Sequence, residues 1–95
     1  MSAESDGPLP QGFIDRLEPL TALVLYRTPR RWQYAILAGG GILDGHLHDV
    51  PLSAEEGDAQ AALLELIERW TGKTVDATWR ATEPDWWAAD ASYLT

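Results

Sequence analysis

The chain has 95 residues, 15 acidic against 7 basic, giving a net charge of −8, and it contains no cysteine. That length accommodates one hydrophobic core, and the absence of thiols excludes disulfides, thiolate metal sites and cysteine nucleophiles. So acidic a surface repels phosphate backbones, which sets direct nucleic-acid binding aside, while 45% hydrophobic content with five Trp, three Tyr and one Phe suits a folded domain.

Residues 1–11 (MSAESDGPLPQ) are polar, acidic and rich in Gly and Pro, and are expected to be a disordered arm. They lack the basic and apolar regions of a signal peptide. The longest apolar run, Leu20 to Tyr26, is too short to span a bilayer. A cytoplasmic protein without membrane association is expected. Phe13, Ile14 and Leu17 have helical spacing, and a short turn there would end at Glu18, because a residue before proline avoids the helical region.

From Thr21 to Thr28 the chain reads as a strand that is apolar on both faces, with Leu23 and Leu25 opposite Ala22, Val24 and Tyr26. After a turn at Pro29, Arg31 to Ala38 alternates, with Trp32, Tyr34, Ile36 and Ala38 on one face. Gly39, Gly40 and Gly41 supply a tight connection to a third strand, Ile42 to Val50. They do not form a phosphate loop, which needs a following helix with Lys and Ser or Thr.

Ser53 and Glu56 have capping-box spacing, and Glu55, Glu56 and Asp58 suit the positive end of a helix. The stripe Ala59, Ala62, Leu63, Leu66, Ile67 and Trp70 predicts that helix, and Gly72 predicts its left-handed end. A fourth strand, Thr74 to Thr82, turns Val75, Ala77, Trp79 and Ala81 to one face. Residues 84–95 are read as a Trp-containing tail or short helix, since Pro84 and Asp85 suit a helix start. The expected fold is α+β: a three- to four-stranded antiparallel sheet (β-β-β-α-β) over residues 12–83 with one amphipathic helix on one face. Tyr26, Trp32, Trp70 and Trp79 are the aromatic core candidates.

Three features bear on chemistry. Asp44, His46 and His48 share one face of an extended strand, the histidines about 7 Å apart, and two histidines with a carboxylate can hold zinc or non-haem iron. The bland reading is a polar, solvent-facing strand, and no cofactor is expected. Trp86 and Trp87 are candidate partner anchors, or fold back over the sheet. Arg27, Arg30 and Arg31 beside Trp32 mark a partner-binding corner, or pair with local carboxylates. No Ser has a nucleophile setting and no carboxylate spacing singles out an acid–base pair, so an enzyme is less expected than a binding protein.

The strand order, with the helix opening Ser53-Ala54-Glu55-Glu56 and continuing from Ala59, resembles HicB-type antitoxin domains over Leu23 to Trp70. The resemblance is one of topology, without a diagnostic motif, and the long third strand and Trp-rich tail depart from it. It implies an antitoxin-like inhibitor, and the acidic charge, gathered on one continuous face, would suit a DNA mimic; an inhibitor of either kind is the second expected function. The leading expectation is a non-enzymatic module that binds another protein, with a homodimer through a sheet edge as a further expectation. A small metal-dependent enzyme using Asp44, His46 and His48 is the third.

Overall fold

The computed structural model describes residues 16–94. The arm expected at residues 1–11 and most of the turn expected around Phe13 and Ile14 lie outside this range. Five strands and one helix follow in the order β1 (Leu20–Arg27), β2 (Trp32–Ala38), β3 (Gly41–His46), α1 (Glu56–Thr71), β4 (Val75–Glu83) and β5 (Trp86–Tyr93). All pairings are antiparallel, in a single sheet ordered β3-β2-β1-β5-β4. The α+β class expected from the sequence is therefore correct, with one strand more than expected.

The sequence explains this order. β1, β2 and β3 form a meander whose tight turns are set by Pro29 and by Gly39 and Gly40. β3 and β4 lie at opposite edges of the sheet. The connection must therefore cross the whole sheet, and a 16-residue helix rises about 24 Å, the width of five strands. β5 then folds back between β4 and β1.

The core is the layer between α1 and one sheet face. Ala59, Leu63 and Ile67 of the helix meet Leu23 and Leu25 of β1, Trp32, Tyr34 and Ile36 of β2, and Ala89 and Ala91 of β5, all buried. Each fully buried large aliphatic side chain contributes roughly 1.5–3 kcal/mol. The Trp32 indole N–H donates to the Pro51 carbonyl at 3.0 Å, so this buried ring leaves no polar atom unsatisfied. At the helix end Gly72 is left-handed (φ 73°), and its N–H donates to the Glu68 carbonyl at 2.8 Å, as its position predicts. The Glu68 carboxylate in turn accepts the first N–H of β4, from Val75, at 3.0 Å.

Four expectations are corrected. The helix starts at Glu56 with Glu55 as its N-cap, and Ser53 makes no cap. The Ala54 N–H closes a turn onto the Pro51 carbonyl, and Arg27 binds the carbonyls of Leu52 and Ala54, so the chain around Ser53 is held outside the helix. β3 ends at His46 rather than Val50: after the Leu47 N–H bonds to the Trp32 carbonyl, β2 offers no further partner, because the Arg31 carbonyl is turned to Thr28. Residues 86–93 are a strand, not a tail or helix, so the domain extends past residue 83. Pro84 and Asp85 make the two-residue turn between β4 and β5, with Asp85 at φ 64°, a conformation that Asp tolerates better than most residues. Finally, Tyr26 lies outside the core, whereas Trp70 and Trp79 pack against its rim.

Candidate functional site

The side chains on the sheet face opposite α1 form a second apolar surface. The register gives three rows across the five strands. The middle row runs Asp44, Ala35, Val24, Ala88, Arg80 from the β3 edge to the β4 edge. One step toward the β4–β5 turn it is flanked by His46, Gln33, Tyr26, Trp86 and Glu83, and one step the other way by Ile42, Leu37, Ala22, Asp90 and Thr78. None of the apolar members of these rows belongs to the core. Among the described residues no element covers them. Ile42 is 67% and Trp86 40% exposed, while Val24, Tyr26, Ala35, Leu37 and Ala88 are half-buried.

Trp86 and Tyr26 are directly opposite one another on β5 and β1, and their rings stack with centroids 4.2 Å apart and planes 6° from parallel. The strand alternation then sends Trp87 to the other side, where it packs 5.5 Å from Trp32 and rims the core. The tryptophan doublet is thus divided, one ring to each face. Either ring alone could have been read as an anchor; the register decides that it is Trp86 that faces outward.

The arginine corner is divided as well. Arg27 is committed to the fold: it holds Asp85 at 2.8 Å, donates to the carbonyls of Leu52 at 2.9 Å and Ala54 at 3.3 Å, and lies 4.7 Å over the Trp32 ring. Arg30 and Arg31 are exposed at the β1–β2 turn, and together with His46, Leu47 and His48 they line a shallow recess beside the open face. Arg31 donates to His46 Nδ1 at 3.2 Å, which leaves the His46 proton on Nε2. The His46 pKa is lowered by desolvation first, then by the neighbouring Arg31 charge and by His48.

Asp44 and His46 stand on the same face of β3, as their spacing predicts, but His48 follows the end of the strand and its ring leans to within 4.4 Å of His46. Among the described residues no group of three or more His, Cys, Asp or Glu is placed to hold a metal ion. A second recess, between the start of α1 and β4, gathers Glu55, Glu56 and Asp58 around Trp79, Arg80 and Trp87. The acidic side chains are therefore shared among the open face, the helix start and the edge strands. Among the described residues no helix is long and apolar enough to cross a membrane.

Comparisons with protein-family models, with curated proteins and with solved structures give no match to this chain.

Proposed function

We propose that this chain is a non-enzymatic protein-interaction module that binds another protein through the open face of its sheet. The observation that carries this reading is the apolar strip Ala22, Val24, Tyr26, Ala35, Leu37, Trp86 and Ala88, which lies outside the core on the three middle strands of the sheet. Contiguous apolar surface rimmed by polar residues is a mark of interaction sites. The stacked Tyr26 and Trp86 give it two rigid aromatic anchors, whose ordering costs little on binding. A rim carrying Asp44, His46, Arg80 and Glu83 supplies polar groups around the apolar centre.

The reading is tested with a photo-crosslinking amino acid at position 86 in the host that encodes the chain, and the same group at Glu65, exposed on α1, as the control. Adducts from position 86 alone, lost when Val24→Lys is added, support it. Equal labelling from both positions, or none from position 86, overturns it.

A further inference from the structure

Resting on that reading, we infer that the occupant of the open face is a second copy of this chain, packed sheet to sheet about a two-fold axis running along β1. The sheet order makes β1 the middle strand, with two strands on either side. Rotation about an axis along β1 therefore lays β3 of one copy over β4 of the other, and β2 over β5.

The charges on this face follow the same symmetry. The middle row is centred on Val24 and ends in Asp44 on β3 and Arg80 on β4. Under the rotation Asp44 of each copy opposes Arg80 of the other, while Ala35 opposes Ala88 and Val24 meets its own equivalent. In the flanking row His46, with Arg31 beside it, opposes Glu83 of the second copy. In the same row Tyr26 meets Tyr26 of the other copy and Trp86 lies over its Gln33, so the two ring stacks join through their tyrosines at one end of the interface. The other in-plane two-fold, perpendicular to the strands, instead sets Asp44 against Asp44 and Arg80 against Arg80. Opposed like charges are strongly unfavourable at an interface, so the strand-parallel axis is favoured.

Arg80 is available for this exchange. Its bond to Asp90 within the chain is long, 3.7 Å, and both side chains are more than half exposed, so the pair contributes little to the monomer. In the outermost row the rotation sets Asp90 over Leu37, at the margin of the interface, where its exposed carboxylate stays in water. The thickness of the molecule fits one helix layer and one sheet: its extents are 34 × 33 × 19 Å. Five strands by three rows cover about 24 × 20 Å, so the two copies together would bury on the order of 1,000 Å². That lies at the low end of specific interfaces, and predicts a dimer that dissociates on dilution.

The experiment is sedimentation velocity on the full chain from about 5 μM to about 1 mM, with Asp44→Arg and Arg80→Asp variants measured singly and mixed. The expected result is a concentration-dependent dimer, weakened about tenfold or more by either substitution alone. The mixture should restore it as a heterodimer, because every contact between positions 44 and 80 then joins a basic side chain to an acidic one. Both substitutions are at exposed positions on edge strands, and a circular-dichroism melt of each checks that the fold is kept. A chain that stays monomeric throughout overturns the inference, as does a dimer indifferent to both substitutions. So do contacts to Val24 and Trp86 that come from the chain's own residues 1–15. A monomer whose position-86 probe still captures a different protein overturns the second copy and leaves the interaction surface standing.

Discussion

Arg27 and Asp85 are joined at 2.8 Å across the bottom of the sheet, and that bond fixes the turn from which β5 enters between β4 and β1. The two partners are unequal. Asp85 has a half-exposed side chain whose Oδ1 accepts two bonds from Arg27, at 2.8 and 3.1 Å, whereas Arg27 also carries the carbonyls of Leu52 and Ala54 before α1 and covers Trp32. Asp85→Asn keeps a residue that tolerates the left-handed backbone and removes only the charge, so a loss of about 0.5–1 kcal/mol is expected. Arg27→Ala strands two carbonyls and uncovers an indole, and is expected to cost about 2–4 kcal/mol. Arg27→Lys should fall between, since a point charge cannot serve three acceptors at once. Urea melts read the order, and equal losses for Arg27→Ala and Asp85→Asn would sink the idea that Arg27 organises the approach to the helix.

Gly45 is opposite Tyr34 on the core face, and the buried ring lies over it. A Cβ at residue 45 would come within 2.7 Å of Tyr34 Cζ and closer still to the hydroxyl. Gly45→Ala is therefore expected to destabilise by roughly 1–3 kcal/mol through overpacking. The same alanine in a Tyr34→Leu background meets no ring, so the double variant should lose less than the sum of the two single losses. Strict additivity in thermal or urea unfolding would show that the glycine is needed for its backbone instead.

Much of this architecture was legible in the sequence, and the exceptions have physical causes. The helix stripe from Ala59 to Trp70 and its Gly72 cap, together with the alternation in β2 and β4, state their own geometry. β5 was hidden because Pro84 and Asp85 resemble a helix start, although the alternation of Trp87, Ala89, Ala91 and Tyr93 with Trp86, Ala88, Asp90 and Ser92 was the available signal. Ser53 has the spacing of a capping box but is overruled by the turn that Ala54 closes onto Pro51 and by the bonds of Arg27, distant in sequence, to the carbonyls on either side of it. β1 reads as apolar on both faces, which correctly makes it central. Which side the single helix covers depends on the path from β3 to β4, and no local pattern encodes that path. The charge symmetry of Asp44 and Arg80 is likewise invisible until the register is known.

The His46 imidazole is held below its ordinary value of 6.5, first by desolvation and then by Arg31 and His48. An unfolded chain would thus take up a proton at this site at a higher pH than the folded one. Above pH 6.5 neither state is protonated there and the site makes no difference; as pH falls below 6.5 the unfolded state binds more protons and stability declines. Wild type should therefore lose stability between neutral pH and mildly acidic pH in a way that His46→Gln does not. In NMR titrations the His46 ring should titrate below 6.5, and Arg31→Gln should move it upward. A His46 midpoint above 6.5 would contradict the Arg31 contact as the folded arrangement.

Trp86 separates association from stability more cleanly than any core residue. Its indole is 40% exposed and stacks on Tyr26 rather than on the core, so truncation opens no buried cavity. Trp86→Ala should cost about 1 kcal/mol of folding stability, the scale of a cross-strand aromatic pair, and a double-mutant cycle with Tyr26→Ala should give a coupling of about 0.5–1 kcal/mol. Trp87→Ala, one residue along the same strand, removes a ring packed beside Trp32 and should cost about 2–3 kcal/mol or more. For association the order reverses: Trp86→Ala removes an aromatic anchor of the open face, while Trp87 points to the helix side. Measured under conditions where both variants are folded, Trp86→Ala should lose most of the self-association and Trp87→Ala should keep it. The opposite ranking would place the interface on the helix side of the sheet.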